Sequence, residues 1–199
     1  MLRLSALAAT TALFLGGTPA HSADGPEELA VMSNEQYEEL LGSRGRAAAP
    51  PAATPRTESP AAAPAAAPGW ATVKFTSTDR RGKVVPTRVG NNELGWKHFS
   101  GPHNITNPDV VKKIIGGTSN PTTSKDQPHR LVYDGALVAK GGLLDPPRKI
   151  ATIRIIVQHH WRTADNRYAL SDRNAKIGVI TAYCRSVPRN RCPDKVNQP

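Results

Sequence analysis

Residues 47–68, AAAPPAATPRTESPAAAPAAAP, constrain this chain more than any other segment, because Ala and Pro fill 17 of their 22 positions. Recurrent proline removes amide donors and breaks the helix that the alanines would otherwise form, leaving an extended, semi-rigid spacer. Regular structure cannot run through it. The 199 residues therefore divide into a short N-terminal part and a C-terminal part the size of one ordinary domain. The expected organisation is a disordered Ala/Pro-rich linker over 47–68 and a folded domain over 69–199.

Charge divides at the same place. Residues 69–199 hold 22 of the 26 Lys and Arg and 9 of the 16 Asp and Glu, a net of +13, whereas residues 1–68 carry −3. A surface of that sign suits a polyanion such as nucleic acid, an anionic membrane or an acidic wall polymer. Two cysteines exclude a multi-disulfide scaffold and a four-cysteine zinc site.

The N-terminus reads MLRLSALAATTALFLGGTPAHSADG, with Arg3, an apolar stretch from Leu4 to Leu15, and small residues before Ala23. That pattern predicts a secretory signal peptide over 1–22 and a secreted protein. About a dozen apolar residues are too few to span a bilayer core of about 30 Å, so no membrane span is expected in the mature chain. Residues 23–46 form an acidic leader. Within it Ser33 and Gln36 have capping-box spacing, Tyr37, Leu40 and Leu41 make an apolar edge, and Gly42 can stop a helix. So short a helix is marginal alone, and the leader is read as solvated and idle. The alternative is a pro-segment that covers the basic domain until it is removed near Arg44 or Arg46.

In the basic domain, Trp70–Phe75 alternates like a strand, and KVVPTRV follows a turn as a second, with Pro86 confining it to an edge or bulge. NNELGWKHFSGPHNITN reads as irregular. Asn107 and Pro108 then open a helix whose Val110, Val111, Ile114 and Ile115 share one face, and Gly116-Gly117 ends it. HRLVYDGALVAKGG predicts a hairpin about Asp134-Gly135. KIATIRIIVQHHWR is the strongest strand, with Ile153, Ile155 and Val157 on one face. IGVITAYC is another, with Val179, Thr181 and Tyr183 on a common face. The fold class is α+β: a small single domain with one main helix packed on an antiparallel sheet. Cys184 and Cys192 bracket RSVPRNR, and in an exported protein the pair is expected to close a disulfide around a basic loop.

The phosphate-binding loops, nucleophile elbow and zinc-protease motif are absent from the sequence. His98, His103, His129, His159 and His160 are the histidines a metal would use. His159 and His160, adjacent on a strand, point to opposite faces and cannot chelate one ion simply. No metal and no cofactor is expected. Trp96-Lys97-His98-Phe99-Ser100-Gly101-Pro102-His103 places a cation and two imidazoles within eight residues. Those are the parts that metal-free RNA cleavage needs: a base, an acid and a cation for the phosphorane. Equally, they are what a basic surface loop contains. Thr181-Ala182-Tyr183 offers a hydroxyl and a phenol on one strand face, although such residues also serve packing.

The order of a Lys-His…His loop, an apolar helix VVKKII, a hairpin, a long basic strand and a terminal VITAY strand resembles the barnase–EndoU–colicin–RelE-like group of RNases. The similarity spans about residues 94–184. That resemblance implies a metal-independent, toxin-like endoribonuclease. His98 or His103 would be the general base, Thr181 and Tyr183 would orient the phosphate, and Lys97 or Arg162 would supply charge. Cys184 stands where that group usually has proline. Arg173, with Arg154, Arg162 and Arg167, adds to the basic surface offered to RNA. A monomer is expected, with RNA as the partner, and an immunity protein or the acidic pro-segment as inhibitor. Two other readings use the same residues. One is a non-catalytic module holding anionic wall polymer or nucleic acid. The other is a secreted protease inhibitor with RSVPRNR as bait.

Overall fold

The longest strand, β6 (Arg148–Gln158), buries Ala151, Ile153, Ile155 and Val157 on one face and leaves Thr152, Arg154 and Ile156 half-buried on the other. That alternation makes it the spine of the sheet. Its neighbours are β5 (Arg130–Ala139) and β7 (Gly178–Arg185), both antiparallel to it. The computed structural model describes residues 28–43, 69–127, 129–141 and 145–198. The expected signal peptide over 1–22 and linker over 47–68 lie outside these described residues.

The main sheet runs β1 (Leu29–Ser33), β5, β6, β7, with the two-residue β4 (Thr122–Thr123) also paired to β5. Strands β2 (Val73–Thr78) and β3 (Val84–Arg88) form a separate antiparallel pair, with Pro86 opposite Thr76. Trp70 lies ahead of them in a 3-10 turn, Gly69–Ala71, rather than in the first strand. Helix α3 (Pro108–Gly116) starts where the sequence predicts: the Asn107 side chain accepts from the Asp109 N–H at 2.9 Å. Its Val110, Val111, Ile114 and Ile115 are buried against the sheet with Phe99, Tyr133, Ile153 and Ile155. Helices and antiparallel sheets thus share one small α+β domain. Among the described residues no helix is long and apolar enough to cross a membrane.

The expected hairpin at Asp134-Gly135 does not form. Strand β5 runs straight through, with Asp134 opposite Arg154 and Gly135 opposite Ile153. A turn signal loses here to packing. A Cβ on Gly135 would stand 2.6 Å from the Ile114 side chain, so the missing side chain lets α3 close on the sheet. Asp134 is held by two 2.8 Å bonds from the Arg154 guanidinium.

The acidic leader is not idle either. Leu29–Ser33 forms β1, which pairs with β5 from Leu29↔Ala139 to Ser33↔Gly135, and the fold therefore begins before Gly69. Helix α1 (Asn34–Ser43) follows, and its capping box is present in both directions. Ser33 N–H donates to Gln36 Oε1 at 3.0 Å, and Gln36 N–H to Ser33 Oγ at 3.1 Å. Tertiary contacts make this short helix stable. Ser33 Oγ donates to the Gly117 carbonyl, Glu35 accepts the Ser119 and Asn120 N–H groups, and Glu39 pairs with Arg80. Burial pushes the Glu35 carboxyl up in pKa, but the donors at Asn120 and Ser119 outweigh it and hold it below the ordinary value.

Candidate functional site

Helix α2 (Gly95–Ser100) occupies the segment expected to be irregular. Gly90 and Gly95, at φ of 69° and 77°, permit it. A Cβ on Gly90 would meet the Leu94 carbonyl at 2.0 Å, and one on Gly95 the Arg88 carbonyl at 2.9 Å. Phe99 then anchors the helix in the core, and α2 packs along β7. This brings the two histidines of the Lys-His…His segment to the last strand. The His98 and His103 rings are 5.2 Å apart, and His103 is 5.8 Å from the Tyr183 ring.

His98 Nδ1 donates to the Asn92 carbonyl at 2.8 Å, so Nε2 is the ring nitrogen not used in that bond. His103 is half-buried, and its Nδ1 is enclosed with no hydrogen-bond partner among the described residues. Burial, and then the neighbouring His98, push its pKa below the ordinary histidine value, against an opposing contribution from the Asn190 backbone. His103 is therefore held towards its neutral form.

The Cys184–Cys192 disulfide, with Cα atoms 5.0 Å apart, secures this arrangement. Cys192 N–H donates to the His103 carbonyl at 3.0 Å, Arg191 donates to the Gly101 carbonyl, and Asn104 donates to the Cys192 carbonyl and to Asp194. The loop between the cysteines turns through Pro188–Asn190.

On β7 the expectation for Val179 fails. The register skips Ile180 between Ile156↔Thr181 and Val157↔Val179. This bulge sends Val179 into the main core with Ala182 and Cys184, while Thr181 and Tyr183 stay half-buried on the opposite face. Thr181 Oγ1 has no partner among the described residues. Tyr183 lies opposite Arg154, which in turn lies opposite Asp134, so a phenol, a guanidinium and a carboxylate form one row across three strands. Arg154 is held in its charged form first by the Asp134 bonds, with the Tyr183 hydroxyl also contributing.

Arg154 thus brings a cation against the phenol, where its sequence context marks it only as part of a basic strand. A charged residue opposite a Thr-x-Tyr is invisible until the register is known. Lys97 is exposed on α2 beside His98. Arg162 and Arg173 are elsewhere. Both lie over the Trp161 ring, at 5.1 and 5.4 Å, beyond the far end of β6. Strand β6 ends at Gln158, so His159 and His160 lie past it rather than on the strand expected to carry them. His159 is enclosed, and burial and then Lys83 lower its pKa, whereas His160 stacks on His129 at 4.5 Å. Among the described residues no three His, Cys, Asp or Glu side chains gather as metal ligands.

No protein-family model matches the chain, no curated protein matches its sequence, and no solved structure matches its fold.

Proposed function

We propose that this protein is a secreted, toxin-like endoribonuclease that cleaves RNA by attack of the 2′-hydroxyl. The observation that carries the reading is the convergence of His98, His103 and Tyr183 from two separate elements, with Arg154 paired across the strand from the phenol. Of two imidazoles this close, the one that burial and its neighbour push towards neutrality is suited to be the base, and the other the acid. His103, pushed towards neutrality, is the base. It takes the 2′-OH proton as that oxygen bonds to phosphorus. The P–O5′ bond then breaks, and His98 delivers a proton from Nε2 to the leaving oxygen. Tyr183 and Thr181 orient the phosphate, while Arg154 and Lys97 offset the charge of the phosphorane. The products are a 2′,3′-cyclic phosphate and a 5′-hydroxyl.

The test uses oxidised protein spanning residues 23–199, incubated with mixed RNA in EDTA. Cleavage leaving cyclic phosphate ends, lost in His98→Ala and His103→Ala, supports the reading. Intact RNA with salt-sensitive binding by all the proteins overturns it and leaves a basic binding module.

A further inference from the structure

The face of the sheet that carries Tyr183 continues, two residues at a time, away from the histidines. Asp134, Val132 and Arg130 of β5 lie opposite Arg154, Ile156 and Gln158 of β6, so all six share that face. Four residue steps along the strand separate Arg154 from Gln158, about 13 Å. At that end is a cavity of about 270 Å³ lined by Gln127, His129, Gln158, His160, Arg162 and Asn166 among others.

Its chemistry is unlike that of the histidine cluster. The His129 and His160 rings are stacked with 17° between their planes, a pile of flat rings that a further ring can extend. Arg162 lines the cavity and lies over the Trp161 ring, and the Arg173 guanidinium lies over that same ring. Gln158 is 3% exposed, and its amide nitrogen donates to the Arg162 carbonyl. The oxygen of that amide, and the Gln127 Oε1, are buried with no hydrogen-bond partner among the described residues. Unmet acceptors at a cavity wall are costly unless a donor arrives.

We infer that this cavity is a nucleobase subsite: a base bearing an exocyclic amino group lies against the His129–His160 stack, donating to Gln127 and Gln158, while Arg162 and Arg173 hold its phosphate. Flat rings give sequence-tolerant stacking, cations hold the backbone, and the two amide oxygens supply the discrimination. The inference rests on RNA being the substrate. It adds a second nucleotide on the same sheet face, displaced along the strands from the bond that breaks.

Single-stranded tetramers of deoxycytidine and deoxyuridine test it, because they differ at the amino group and lack the 2′-hydroxyl, so binding is read without cleavage. Calorimetric titration of the protein spanning residues 23–199 should show tighter binding of the cytosine tetramer. His160→Ala should weaken that binding at least about fivefold, the lower bound for a lost stacking partner. Gln127→Leu, at a half-buried position, should erase the cytosine preference, and Gln158→Leu should do the same where it remains folded by circular dichroism. Equal binding of both tetramers, or no effect of His160→Ala and Gln127→Leu, overturns the subsite even if the protein cleaves RNA. Selective binding through these residues without RNA cleavage upholds the subsite and overturns the ribonuclease reading.

Discussion

His103 gains its character from position rather than type. Its ring is half-enclosed and next to a second imidazole, and both effects favour the neutral form. The acid limb of the pH–rate profile for RNA cleavage should consequently fall below the ordinary histidine value of 6.5, and the His103 titration itself, followed by NMR, should move upward in His98→Asn, which removes the neighbouring charge. His103→Ala should lower the rate about 100- to 10,000-fold, the usual contribution of a positioned base. Tyr183→Phe should lower it without altering the unfolding midpoint. Stability has a matching signature. The folded-state pKa values of His103 and His159 both lie below the unfolded value, so the stabilisation is complete above about pH 6.5 and is lost as pH falls below it. Urea titrations at pH 7.5 and 5.5 check this, with the lower midpoint expected at pH 5.5.

At the scale of elements, packing decides which local signals are obeyed. Asn107-Pro108 and the Val110, Val111, Ile114, Ile115 face were legible because a helix cap and a 3.6-residue period are local properties. The Asp134-Gly135 turn signal misled for the opposite reason: a glycine admits a turn, and it equally admits a helix pressed against a strand. Gly135→Ala should therefore destabilise the domain by about 1–3 kcal/mol through overpacking against Ile114. In the candidate site, the two histidines and Thr-x-Tyr were legible as residue types. Arg154 was not, because its place opposite Tyr183 depends on the pairing register. The disulfide joins the two scales. Replacing both Cys184 and Cys192 with Ala should cost about 2–3 kcal/mol from the released loop. It should also lower RNA cleavage under conditions where the protein stays folded, because the Cys192 N–H that holds the His103 carbonyl is no longer fixed. Activity assays well below the unfolding midpoint separate the two losses.

Over the whole molecule, the acidic leader and the candidate site lie on opposite edges of the sheet. Strand β1 is three strand spacings from β7, about 14 Å. Residues 29–43 therefore complete the fold and do not cover the histidines. Removing residues 28–43 should lower the thermal midpoint, since Val31 alone buries a side chain that contributes about 1.5–3 kcal/mol. It should also expose the edge of β5 and promote self-association, visible by size-exclusion chromatography. The rate of RNA cleavage by the folded remainder should not rise, as it would if the leader shielded the histidines.

What the sequence determined by itself was whatever depends on neighbours along the chain: the Ala/Pro composition of 47–68, the +13 charge beyond it, the capped apolar helix and the alternating strands. Covalent sterics and local periodicity act over a few residues and need no fold to express them. Only the tertiary structure decided that the leader supplies an edge strand, that β5 does not turn, and that Arg154 faces Tyr183. It also decided that Arg162 and Arg173 belong to a different corner from His98 and His103. Each of these depends on strand register and side-chain volume between residues distant in sequence, where a shift of one position moves a side chain to the other face.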